Sequence, residues 1–144
     1  MSGLTLKQAN TIIEGALAKA REMKIRPLCV VVLDASGNLV SAQREDNASM
    51  FRFDIALGKA WGAVAMSCSS RSLGKRAKDN PSFFLTLAAT AKGKFVPQTG
   101  AALIRDAQGK ILGAAAASGA TGDEDETCCA AGIETAGLTA DVSA

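Results

Sequence analysis

The residues best suited to chemistry crowd into one stretch. Residues 118–132 read SGATGDEDETCCAAG, with Ser118-Gly119, four consecutive acids from Asp123 to Glu126, and adjacent thiols at Cys128 and Cys129. A zinc site needs Cys, His and carboxylate ligands at spacings that let them converge. Two adjacent cysteines, in a chain with no histidine and no second cysteine pair, do not supply one. A calcium loop needs acids at alternate positions around a glycine, and these acids are consecutive. A redox pair needs CxxC-like spacing or a thiol of lowered pKa. Neighbours on a helix point about 100° apart, and the acids oppose a thiolate. The favoured reading makes one cysteine a small buried hydrophobe and the other incidental. A capped helix start accounts for the acids. Thr121 with Glu124, or Asp123 with Glu126, matches the capping-box pattern, and acids in the first turn suit the helix dipole. Ser118-Gly119 remains unexplained by capping. A strand that ends there and hands over to a helix presents backbone N–H groups that can hold a carboxylate or other anion. The acids offset part of that field, so a weaker polar contact fits better than phosphate.

The elements that must position this stretch follow from periodicity. Leu6, Ala9, Ile12, Ile13, Ala16, Leu17 and Ala20 form one helical face over residues 5–23, with Thr5 as the cap. Pro27 forces the chain to extend. Residues 28–33, LCVVVL, and 39–44 flank the turn residues DASGN, which predicts a β-hairpin. Residues 49–68 predict a second helix, where Gly58 and Gly62, four apart, permit close packing. Residues 69–80, polar and basic, read as loop or a short helical turn; a short helix is expected over 82–91 and extended chain over 94–98. Strands over 101–105 and 110–117, joined by Ala107-Gln108-Gly109, lead to a last helix over 123–137 with Gly137 as its C-cap. No internal repeat or linker stands out. The order predicts an α+β fold, an antiparallel sheet with helices packed on it.

The 144 residues suit a single domain, 1–144, and 48% of them are apolar, which suits a buried core rather than disorder. A net charge of +2 argues against a nucleic-acid partner. The N-terminus lacks the basic and uninterrupted apolar regions of a signal peptide. No charge-free apolar stretch approaches the about 18 residues of a membrane span. A cytoplasmic protein with reduced thiols is expected.

Taken in order, the motifs resemble the GlcG/HbpS family, which includes the C-terminal domain of PduO-type proteins. The carriers are RPLCVVVLDASGNLVSAQREDNAS (26–49), DIALGKAWGA (54–63), and the strand, SG and helix running from Asp125 to Ala131-Gly132-Ile133. The resemblance covers roughly residues 5–138. It implies profilin-like α/β/α layers with a five-stranded antiparallel sheet, and homo-oligomers from dimers to octamers. It also implies haem binding or haem degradation in some members, and accessory roles beside catabolic pathways in others. With no histidine, haem iron would have to take a Cys thiolate, Met or a hydroxyl.

The candidate site lies where Thr99-Gly100, Ser118-Gly119 and the second helix approach each other. Arg44 or Lys59 is the candidate for an anionic ligand's carboxylate. Asp125 or Glu124 is the candidate acid or base, if burial raises its pKa. No metal ligand set is expected. Arg71, Lys75, Arg76 and Lys78 form a basic cluster, a solvated face or an attractor for haem propionates. Two functions follow. One is a small-ligand-binding protein of the haem-binding or haem-degrading kind. The other is a small catabolic lyase or isomerase acting on a carboxylated metabolite.

Overall fold

The computed structural model describes residues 3–144. Its sheet has five antiparallel strands in the order β2-β1-β4-β3-β5. They are β1 (Cys29–Asp34), β2 (Leu39–Arg44), β3 (Ala101–Arg105), β4 (Ile111–Ser118) and β5 (Thr139–Asp141). Helices α1 (Leu6–Met23) and α5 (Gly122–Thr135) cover one face; α2 (Phe51–Met66) covers the other, with α3 (Ser70–Asp79) and α4 (Pro81–Thr90) beside it. This is the expected α+β, α/β/α layering.

Alternation along β1 divides the core. Val30 and Val32 pack against α1 and α5, while Cys29, Val31 and Leu33 pack against α2. β1 is therefore buried on both sides, the cause of its unbroken apolar run. β4 pairs with both β1 and β3, and its Ala114–Ala117 run is wholly buried, so both helical layers sit close to the sheet. The α1–α5 crossing is closer still. A Cβ on Gly132 would stand 2.1 Å from the Ile12 carbonyl oxygen. Gly58 and Gly62 do admit a neighbour: Val96 and Phe95 lie where their Cβ atoms would project.

The two hairpins share one loop. Asp34 Oδ1 accepts from the Ser36 and Asn38 N–H groups at 2.9 Å each, and Asp106 Oδ1 accepts from Gln108 and Lys110 at 2.9 Å each. Gly37 and Gly109 hold the same left-handed backbone, at φ +81° and +82°. The repeated pattern is DAxG followed by Asn-Leu or Lys-Ile, a local likeness too short to stand out as a repeat in the sequence.

The structure corrects one expectation and fills in two. Residues 70–79 are a full helix, with Ser69 accepting from the Ser72 N–H as its cap and Leu73 buried in a small cluster with Phe84 and Phe95. Residues 94–98 join no strand; the segment crosses α2, where the Val96 N–H donates to the Gly58 carbonyl. The fifth strand is β5, which pairs with β3 and ties Asp141 to Arg105 at 2.9 Å. Gly137 does close α5, at φ +76°, with its N–H donating to the Glu134 carbonyl.

Candidate functional site

Sheet register places the site. Cys29 of β1 lies opposite Ser118 of β4, and the Ala117 N–H donates to the carbonyl of Gly100, the residue just before β3. The end of β4 and the start of β3 thus meet at one edge, where α5 begins and the first turns of α2 pass over. Thr121 caps α5 by accepting from the Glu124 N–H, and the Glu124 side chain returns to the Thr121 N–H at 3.1 Å. The capping box is thus Thr121 with Glu124. It fixes α5 so that Asp125 points inward and is 1% exposed.

Lys59, 5% exposed on α2, meets it. Lys59 Nζ stands 3.3 Å from Asp125 Oδ2 and donates to the Ala117 carbonyl at 3.1 Å. Asp125 Oδ1 accepts from the Ala120 N–H at 3.1 Å. Burial raises the Asp125 carboxyl above its ordinary value, against the opposing pulls of Lys59 and the Ala120 N–H. Gly100 leaves room for the amine: its φ is +141°, and a Cβ there would lie 2.5 Å from Lys59 Nζ. Arg52, two turns earlier on α2, donates to Ser118 Oγ at 3.4 Å. Arg52, Ile55, Lys59, Thr99, Ser118 and Asp125 are among the residues lining an open cleft of about 280 Å³.

Of the residues expected at this site, the structure brings Lys59, Asp125, Thr99, Gly100 and Ser118 together. Gly119 follows directly, at φ +149°, with its α-carbon packed under Pro27, whose carbonyl oxygen would lie 2.2 Å from a Cβ. Arg44 is elsewhere: it donates to the Ala48 carbonyl at 2.7 Å on the far side of β1. Glu124 is occupied as a cap and lines a different hollow, with Lys24 and Arg26. Arg52 was missed, although seven residues before Lys59 places it on the same helix face.

The neighbouring groups are structural. Both thiols of α5 are fully buried, Cys128 toward α1 and Cys129 with its Sγ 3.8 Å from the Gly100 carbonyl, so neither is incidental. Burial and the nearby acids push Cys128 up to about 11, and Cys129 well above the usual thiol range. Arg71 is drawn out of the basic cluster by Glu126 and Asp123, and Arg76 stacks over the Phe84 ring. Lys75 and Lys78 border a separate groove with Gln98 and Thr99. Among the described residues, no group of three His, Cys, Asp or Glu side chains is placed to hold a metal ion, and no helix is long and apolar enough to cross a membrane.

An α/β/α protein with a cleft at a strand end, lined by Arg52, Lys59, Ser118 and Asp125, is what fold and site define. The model of the family described as "Haem degrading protein HbpS-like" matches residues 4–134, and the chain belongs to that HbpS-like family. It is 30% identical over 122 residues to a Citrobacter freundii protein described as "Uncharacterized 15.0 kDa protein in dhaT-dhaS intergenic region", covering 85% of this chain and 84% of that one. Its fold matches that of a PduOC–haem complex at a TM-score of 0.84, with 23% identity and 96% and 99% of the two chains covered. It also matches a double mutant of Streptomyces reticuli HbpS, at a TM-score of 0.79, with 27% identity and 93% and 87% covered.

Proposed function

We propose that the chain binds a small carboxylate-bearing ligand in the cleft between α2 and α5. The observation that carries this reading is the convergence of Arg52 and Lys59 on neighbouring residues of β4, Ser118 and Ala117. Two cations face one buried carboxylate there, leaving the cleft one positive charge in excess. A cleft of about 280 Å³ lies at the lower end of small-molecule pockets, which suits a metabolite of a few carbons. Arg52 would clamp the carboxylate through charge-assisted hydrogen bonds, and Asp125 would take up and return a proton at the ligand's remaining oxygen. Asp125, rather than Glu124, is the acid or base in this reading, because Glu124 is committed to the Thr121 cap.

Calorimetric titration with lactate against its neutral amide tests the reading. Lactate is expected to bind and lactamide not. Arg52→Gln should weaken lactate by about 1.5–3 kcal/mol, the contribution of a hydrogen bond to a charged group, or roughly ten- to a hundredfold. Equal heats for acid and amide would remove the carboxylate from the account.

Haem is the second reading, supported by the family and by the haem complex of similar fold. The donors here are restricted: the chain has neither His nor Tyr, and Cys29, Cys128 and Cys129 are buried. The residues that fit are at the outer edge of the sheet, where Met50, 86% exposed, and Arg44 border an open hollow with Cys29, Ala42 and Phe53. In this reading Met50 would supply a thioether to the iron and Arg44 would pair with a propionate; bound haem would supply iron redox chemistry. A haemin titration followed by absorbance checks this. A saturable shift of the Soret band that Met50→Leu changes supports it, and an unshifted band rejects it. The hollow at β2 lies at an open edge, so a homo-oligomer that covers it belongs to the same proposal.

A further inference from the structure

We propose that Lys59 is a carbonyl-capturing amine, and that the ligand class of the cleft is a short 2-oxo acid held as an imine on Lys59 Nζ. The inference rests on the carboxylate reading of the cleft and adds a covalent step to it.

Three observations lead there. Lys59 lines the cleft although it is almost wholly buried, and two of its three N–H groups are taken, by the Ala117 carbonyl and Asp125. The third remains for the cleft. Gly100 keeps the space beside the amine clear, since any larger residue would put its Cβ against Nζ. Last, Arg52 and Lys59 reach adjacent residues of β4, one strand step of about 3.3 Å apart. A 2-oxo acid carries its carbonyl carbon bonded directly to its carboxylate, so one molecule can meet both groups.

The proton inventory closes on the residues present. Asp125, whose carboxyl burial raises, takes a proton from the Lys59 ammonium and leaves a neutral amine. The nitrogen lone pair forms a bond to the carbonyl carbon as the C–O π bond breaks, and Asp125 returns the proton to that oxygen. Asp125 then removes a second proton from nitrogen and delivers it to the hydroxyl, which leaves as water. The product is a protonated imine in which nitrogen keeps one hydrogen. Two hydrogens and the carbonyl oxygen have left as one water molecule. The positive charge stays beside the Asp125 carboxylate, so the buried pair is charged alike before and after, and no oxidant or reductant is required.

Reductive trapping tests this on the full chain. Pyruvate with cyanoborohydride at neutral pH is expected to add one adduct per chain, of mass equal to the keto acid less one oxygen. Peptide mapping should place it on Lys59. Excess lactate should suppress it, Arg52→Gln should slow it at least tenfold, and Lys59→Arg should abolish it. Mapping on the wild-type protein keeps the test valid even where a Lys59 variant fails to fold. Adducts spread over exposed lysines with Lys59 unmodified would overturn the proposal. Thermal stabilisation by both lactate and pyruvate without any adduct would overturn the imine and leave the carboxylate site standing. Stabilisation by neither, again without adduct, would overturn both.

Discussion

A lysine and an aspartate taken out of water together are each expensive alone, because desolvation of a charge is offset only by its partner. Lys59 and Asp125 come from α2 and α5, 66 positions apart, and nothing in the sequence pairs them. Each was legible as a candidate on its own, but their contact depends on the register of β4 between the two helices. Lys59→Met leaves Asp125 buried without its hydrogen-bonded cation and should cost about 3–5 kcal/mol, read from urea denaturation. The double variant Lys59→Met with Asp125→Asn should cost less than the sum of the single variants, and strict additivity would mean the two do not interact. The pH dependence has a definite sign. The Asp125 carboxyl is raised by burial above its ordinary value of 3.8, so the folded protein keeps a proton that the unfolded chain has lost. Its contribution is full below that ordinary value and is lost as pH rises through the raised folded value. Across that window the urea midpoint of the wild type should fall relative to Asp125→Asn. A constant difference between the two proteins would show that Asp125 titrates normally.

At the scale of elements, legibility followed the strength of the local pattern. α1 announced itself through one apolar stripe and the Thr5 cap, and the hairpins through turn residues such as Asp34, Gly37 and Gly109; the Gln8 half of the capping box and the Asp106 loop contacts came only with the structure. α3 did not, since only Ser70 and Leu73 are buried and, Gly74 and Ala77 apart, the rest of SRSLGKRAKD is polar, a composition that reads as loop. What makes it a helix is the Ser69 cap and the contact of Leu73 with two phenylalanines. β5 is three residues long, too short for alternation to show, and it is recruited by the open edge of β3. The α1–α5 crossing was equally hidden, because a glycine within a helix signals weakness before it signals contact. Here Gly132 is what lets α5 lie against α1. Gly132→Ala would drive its Cβ to 2.1 Å from the Ile12 carbonyl oxygen, and backbone cannot swing aside as a side chain can. The gain in helix propensity, about 1 kcal/mol, should be outweighed by the cost of forcing the layers apart, about 1–3 kcal/mol or more. The expected net effect is a lower melting temperature by calorimetry, and an unchanged or higher value would show that the crossing is slack.

Over the whole molecule, four thiols report on both cores at once. Cys29 faces the α2 layer, Cys128 and Cys129 lie in the α1–α5 layer, and Cys68 sits half-buried after α2. The chain alone argued for reduced thiols, and no pattern in it distinguished the inert ones, since burial on α5 comes from the sheet on one side and α1 on the other. Burial raises Cys29, and pushes Cys128 up to about 11. The reactive thiolate is therefore scarce at pH 8 wherever the layers are closed. A disulfide-exchange reagent should label one thiol of the native protein quickly, Cys68, and all four after denaturation. The slow three carry the further information. β1 is sandwiched between the layers and its alternate residues serve both cores, so neither layer can leave without stripping the other's floor. Opening should be a single cooperative event of the kind that governs exchange from a protein's most stable unit. Cys29, Cys128 and Cys129 should then label with one common rate constant that rises together with urea. A faster Cys29 would mean that the α2 layer opens by itself, and the cleft with it, since Lys59 and Arg52 both ride on that helix.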